Sequence, residues 1–130
     1  MNKILVVDDD VPFAEMMLKA LRAFGYEPIK AGTGKQALHL YDPQTVDLVI
    51  TDLIMPDMEG MELMMALRRR NPKVRIIAMS GGGRNKPDAY LNLAQKLGAL
   101  KTLAKPFPLE TLREAIKGCL AEPKSPGDGQ

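Results

Sequence analysis

The chain has 130 residues, enough for one domain that buries its own core. A formal net charge of +2 and a hydrophobic share of 45% exclude a strongly basic nucleic-acid binder and an extended disordered chain. No apolar run reaches transmembrane length, the apolar part of Met1–Val7 is too short for a signal peptide, and Cys119 is the single cysteine, with neither a disulfide partner nor a second soft zinc ligand. The expectation is a soluble, cytoplasmic domain.

Along the chain, short apolar runs alternate with stretches of helical period. Ile4 to Val7 is a first strand, followed by Asp8, Asp9 and Asp10. Phe13, Met16, Met17, Ala20, Leu21 and Phe24 fall on one helical stripe, and Gly25 is placed to end that helix. A weak strand, Pro28 to Ala31, precedes Thr33, and Gln36 three residues on completes a capping-box pattern for a short helix with Ala37, Leu38 and Tyr41. Leu48 to Thr51 is a buried strand ending at Asp52. The next helix runs from Gly60 to Arg70 with Leu63, Met64 and Leu67 inward, and Asn71-Pro72 stops it.

Val74 to Met79 makes a fourth strand, closed by Ser80 and Gly81-Gly82-Gly83. Tyr90, Leu93, Ala94 and Leu97 mark a fourth helix capped by Gly98. Leu100 to Ala104 is a fifth strand, and Leu109, Leu112, Ile116, Cys119 and Leu120 form a fifth helix. Residues 1–121 form the domain, and the Pro- and Gly-rich residues 122–130 read as a disordered tail. Five strand-then-helix units imply an α/β fold, a parallel sheet covered on both faces, because parallel strands need crossover connections.

In such sheets ligand sites form at the carboxyl ends of the strands. Asp8, Asp9, Asp52, Ser80 and Lys105 all follow or end a strand, so a central first strand brings them to one edge. Carboxylates gathered within a few ångströms repel one another, and either protonation or a bound cation relieves the repulsion. Hard oxygen ligands in a partial shell favour Mg²⁺. Helix capping explains one aspartate, best Asp10 before Pro12, and leaves the Asp8-Asp9 pair unexplained. A carboxylate beside a cation can attack phosphorus in line, the part assigned to Asp52, while Lys105 and Ser80 supply an ammonium and a hydroxyl to the phosphoryl oxygens.

These motifs carry a resemblance. Lys3 to Asp10 resembles the first strand and acidic pair of the receiver domains of two-component response regulators. Asp52-Leu53-Ile54-Met55-Pro56-Asp57-Met58-Glu59-Gly60 resembles their phosphoacceptor segment, Met79-Ser80-Gly81 their hydroxyl position, and Leu103-Ala104-Lys105-Pro106-Phe107 their lysine motif. The resemblance covers Lys3 to about Leu120. It implies a flavodoxin-like, doubly wound sheet of strand order 2-1-3-4-5 with five helices. It also implies phosphorylation of Asp52 from a phosphohistidine on a histidine kinase or histidine phosphotransfer protein, or from a small acyl phosphate. Mg²⁺ is then held by Asp9, Asp52 and the Ile54 carbonyl, with Asp8 acting through water, and the Lys105-Pro106 bond is cis.

Two departures from the family pattern stand out. Thr102 occupies the place of the usual switching aromatic, and the stretch from Ser80 to Gly98 is a few residues longer than typical. A small threonine offers little lever, whereas Gly81, Gly82 and Gly83 move at little cost, so the response is expected in the loop from Gly81 to Asp88.

A phospho-aspartate hydrolase needs a second aspartate where Ile54 stands, and a flavin phosphate would be repelled by Asp8-Asp9-Asp10. His39 reads as a surface residue. Met16, Met17 and Met64 read as core, and Arg68-Arg69-Arg70 as solvated cations closing a helix rather than a nucleic-acid contact. The expectation is a stand-alone phosphorylation switch that signals through an unknown downstream protein, without direct nucleic-acid or membrane contact. The alternative is a receiver module of a larger hybrid kinase or multidomain regulator.

Overall fold

The computed structural model describes residues 1–55, 60–81 and 87–121, the last with its side chains from Leu91 onward. In chain order the elements are β1 (Lys3–Val7), α1 (Val11–Ala23), β2 (Glu27–Ala31), α2 (Gly34–Leu40), β3 (Leu48–Asp52), α3 (Gly60–Arg70), β4 (Ile76–Ser80), α4 (Pro87–Lys96), β5 (Lys101–Ala104) and α5 (Leu109–Ala121). The strands form one parallel sheet of order β2-β1-β3-β4-β5, as expected. β4 starts at Ile76, two residues after the expected Val74. The tail 122–130 lies outside the described residues.

Alternate residues of the central strands feed opposite cores, as the period of two dictates. Ile4, Val6, Leu48, Ile50, Ile77 and Met79 pack with Met17 and Leu21 of α1 and with Leu112, Ile116 and Cys119 of α5. Leu5, Val7, Val49, Ile76 and Ala78 pack with Ala37 of α2, with Leu63, Met64 and Leu67 of α3, and with Ala94 of α4. Every residue of β3 and β4 is buried, which is why those runs read as unbroken apolar segments, and β2 and β5 are the half-exposed edges.

The helix ends follow local chemistry. Asp10 Oδ1 accepts from the Phe13 N–H at 3.1 Å and caps α1. Thr33 Oγ1 accepts from the Gln36 N–H at 3.0 Å, but Gln36 Oε1 accepts in return from Gly32 N at 2.8 Å. The reciprocal half of the expected box thus lands one residue early. Gly25 and Gly98 take φ values of 97° and 109°. Each is followed by an N–H that bonds five residues back, Tyr26 to Leu21 and Ala99 to Ala94, so both helices close in the left-handed turn that glycine permits.

Some helical positions differ from expectation. Met16, expected in the core, is 36% exposed, and Leu93 and Leu109 are 46% and 44% exposed. A helix lying on a sheet touches it along a narrow strip, and these three stand at the strip's margin while Met17, Ala94 and Leu112 fill it. The arginine run also differs from the solvated reading. Arg68 donates to the carbonyls of Pro72 and Gly98, both at 3.0 Å, and Arg70 to those of Leu38 at 2.6 Å and Tyr41 at 3.2 Å. Two of the three cations therefore tie α3 to the ends of α4 and α2, satisfying carbonyls that helices leave open.

Gly60 begins α3 against the backbone that carries the site. A Cβ there would lie 2.1 Å from the Asp52 carbonyl oxygen and 2.6 Å from Leu53 Cα. Gly60→Ala must push backbone rather than a side chain, so it is expected to lower stability by about 1–3 kcal/mol. Urea unfolding checks this, and an unchanged midpoint would contradict the contact.

Candidate functional site

The register brings the chemistry together. Val7 stands opposite Thr51, so the next residues on each strand, Asp8 and Asp52, are neighbours where β1 and β3 end. Asp52 in turn pairs with Met79, one residue before Ser80, and Ser80 pairs with Ala104, one residue before Lys105. The Lys105 N–H donates to the Ser80 carbonyl at 2.9 Å, holding the end of β5 against β4. Residues from both ends of the sequence thus meet at one sheet edge.

Carboxylate oxygens of Asp8, Asp9 and Asp52 lie within 4.8 Å of one another. Asp8 and Asp52 are buried and Asp9 is exposed, so the cluster opens to water on one side. A cleft of about 310 Å³ lined by Asp9, Asp10, Asp52, Ile54, Gly81 and Lys105 gives access. A separate cleft of about 330 Å³, lined by Tyr41, Asp47, Asn71 and Arg75 among others, lies before the amino ends of β3 and β4, away from this cluster.

Lys105 Nζ donates to Asp8 Oδ2 at 2.7 Å and to Asp52 Oδ2 at 3.3 Å. Its side chain is only 15% exposed, so it is not a solvated surface lysine. Gly81 makes room for it, since a Cβ there would fall 2.6 Å from Lys105 Cδ. Asp8 Oδ1 also accepts from the Asp10 N–H at 2.9 Å. The Lys105-Pro106 peptide is cis.

Burial pushes the Asp52 carboxyl above its ordinary range; the Lys105 charge opposes this and the Asp8 charge adds to it. The Ile54 N–H reaches Asp52 Oδ1 at 3.4 Å, a long bond that leaves that oxygen available to other partners. Ser80 is 1% exposed and its Oγ has no hydrogen-bond partner, an arrangement that calls for an incoming acceptor.

Three hard carboxylate oxygens around one opening, backed by an unpartnered hydroxyl, fit a small divalent cation with an oxyanion beside it. Of the expected response residues, Gly81 packs against Lys105, and Thr102 is half-buried opposite Ala78. Gly82 and Gly83 lie outside the described residues. His39 is exposed, as expected. Among the described helices, none is long and apolar enough to cross a membrane.

A doubly wound sheet with acidic residues, a hydroxyl and a lysine at its carboxyl edge defines a receiver-type domain. The chain belongs to the response regulator receiver domain family, whose profile matches residues 4–117. It is 31% identical over 116 residues to sporulation initiation phosphotransferase F of Bacillus subtilis, covering 89% of this chain and 91% of that protein. It is 32% identical to the transcriptional regulatory protein ZraR of Escherichia coli, covering 94% of this chain but 27% of ZraR. Among solved structures it is similar to the response regulator TrrA of Thermotoga maritima in complex with Mg(2+)-BeF, with 31% identity and a TM-score of 0.80. That match covers 92% of this chain and all of TrrA, 100%.

Proposed function

We propose that the domain, residues 1–121, accepts a phosphoryl group on Asp52 from a phosphohistidine of a histidine kinase or histidine phosphotransfer protein. The observation that carries this is the buried Asp52 carboxylate, 3.3 Å from Lys105 Nζ and gathered with Asp8 and Asp9. An Asp52 oxygen attacks phosphorus in line. The new O–P bond forms as the donor's N–P bond breaks, and the imidazole departs with the bonding pair. Asp8, Asp9, Asp52 and the Ile54 carbonyl would hold Mg²⁺, which when bound offsets the charge on carboxylate and phosphoryl oxygens. Lys105 and Ser80 bind the phosphoryl oxygens of the product.

The protein is then a switch that catalyses only its own phosphorylation and dephosphorylation. It works in the cytoplasm and signals through a downstream protein rather than by touching nucleic acid or membrane itself. A second reading, a receiver module of a longer regulator or hybrid kinase, is favoured by the match that spans only 27% of ZraR. With Mg²⁺ and acetyl phosphate, intact mass is expected to rise by one phosphoryl group. No rise under these conditions or with a phosphohistidine donor would overturn the reading.

Asp9 and Asp10 separate the metal site from the helix cap. Asp9→Ala is expected to weaken Mg²⁺ binding and slow phosphorylation while leaving the melting temperature of the metal-free protein nearly unchanged. Asp10→Ala should remove the cap on Phe13, costing about 0.5–2 kcal/mol, with Mg²⁺ affinity nearly intact. Mg²⁺ titration and urea unfolding of both variants check the assignment, and equal effects on affinity would contradict it.

A further inference from the structure

Phe13, in the first turn of α1, lies beside Lys105. The Lys105 ammonium stands 4.1 Å from the centroid of the Phe13 ring. Phe107, two residues beyond Lys105, meets that ring edge-on, with centroids 6.0 Å apart and planes at 89°. The Phe13 backbone is held as well, because its N–H is the one capped by Asp10. An aromatic pair thus joins the first turn of α1 to the segment after β5, with the lysine charge over one of its faces.

From this geometry we propose that Phe13 is a positioning residue for Lys105, a proposal that rests on the phosphoryl-binding role given to Lys105 above. A lysine carries its charge on a flexible four-carbon stem, and water competes strongly for the ammonium. Asp8 and Asp52 attract it from one side, at 2.7 Å and 3.3 Å, but Asp52 gives up that oxygen's charge to the phosphoryl group when it reacts. At that moment the charge must stay at the mouth of the cleft rather than swing out to solvent. An aromatic face supplies a weak attraction that does not depend on the state of Asp52 and does not compete as an anion for the phosphoryl-binding charge. Gly81 packs against the aliphatic stem. The ammonium is therefore held by one fixed anion, one reacting anion and one ring.

The test uses the full chain with Mg²⁺ and acetyl phosphate, reading the phosphorylation rate constant by intact mass. Phe13→Leu keeps an apolar side chain without the ring and is expected to slow phosphorylation by about 3- to 10-fold, the size of a partly desolvated cation–π contact. Phe13→Tyr keeps the ring and should stay within about 2-fold of wild type. In a Lys105→Met background, Phe13→Leu should cause no further slowing. Progressively fluorinated phenylalanines at this position preserve size and fold while weakening the negative ring face, and the rate should fall with each fluorine.

An equal loss from Phe13→Leu with and without Lys105 would overturn the proposal, because the ring would then act only by packing. So would a fluorination series with a flat rate. If Lys105→Met itself leaves the rate and the phosphate lifetime unchanged, the role of Lys105 fails and takes this inference with it. If Lys105→Met is slow and the Phe13 variants are not, the inference alone fails.

Discussion

Asp52→Asn is expected to abolish the phosphoryl mass increase and, in the same protein, to raise the melting temperature when metal is absent. The first effect follows from chemistry, since an amide has no anionic oxygen to form an acyl phosphate. The second follows from burial. Desolvation raises the Asp52 pKa in the folded state, and the Asp8 charge pushes the same way against the opposing Lys105. A carboxyl with a raised folded pKa favours folding fully only below its unfolded value, about 3.9. As pH climbs through the folded pKa that contribution is lost, so at neutral pH the charged Asp52 is a net cost. Asparagine has nearly the same shape and removes the charge, while Lys105 keeps its shorter bond to Asp8, at 2.7 Å. In EDTA at pH 7 the variant should therefore melt above wild type, and the gap should narrow as pH falls through the raised folded pKa toward the unfolded value, as the wild-type carboxyl takes up its proton.

Added Mg²⁺ should reverse the order. A ligand bound only by the folded state stabilises it by about 1.4 kcal/mol at ten times its Kd, and the variant lacks one of the three clustered carboxylates. Wild type should gain this increment and Asp52→Asn only a small part of it. Phosphorylation of the asparagine variant would show that another residue is the acceptor. A variant that melts below wild type in EDTA would show that the pairing with Lys105 outweighs the desolvation of Asp52.

How far the sequence carried depends on whether a feature is local. Asp52 could be placed because the four residues before it, Leu48 to Thr51, are apolar or β-branched and all buried, so the strand's end was visible. Asp10, Thr33, Gly25 and Gly98 could be placed because caps act within a few residues. Contacts between distant elements were beyond reach. Nothing near Arg68 or Arg70 announces that their partners are carbonyls of Gly98, Leu38 and Tyr41 on other helices' ends. Phe13 fits a core stripe as well as it fits a ring beneath an ammonium, and only the closing of β5 against β4 brings Lys105 to it. Met16 was misplaced for a related reason, since periodicity finds the apolar side of a helix but not how wide a strip the sheet covers.

Removing the lysine charge tests the other half of the site. Lys105→Met keeps the length of the stem beside Gly81 but leaves Asp8 and Asp52 facing each other without a cation. Asp8 is 2% exposed, so its charge cannot be recovered by water alone, and breaking such a buried pair costs about 3 kcal/mol. Metal-free protein at pH 7 should lose stability on that scale in urea unfolding. The loss should shrink as pH falls, because burial already pushes the Asp52 carboxyl above its ordinary range and without the lysine it takes up a proton more readily still. It should also shrink with Mg²⁺, because a divalent cation at the cluster no longer competes with the ammonium; the variant should therefore bind Mg²⁺ more tightly than wild type. Phosphorylation on Asp52 should still occur, more slowly, since the attacking oxygen is intact and only a charge that binds the product is gone. What should disappear is the response. A phosphoryl group shifts a two-state equilibrium only through interactions that differ between the states, and under the proposed role the lysine ammonium supplies one of them. Amide hydrogen exchange of wild type should therefore change with Mg²⁺ and beryllofluoride, while Lys105→Met takes up the same ligand with little change. A variant whose exchange responds as fully as wild type would remove Lys105 from the switch.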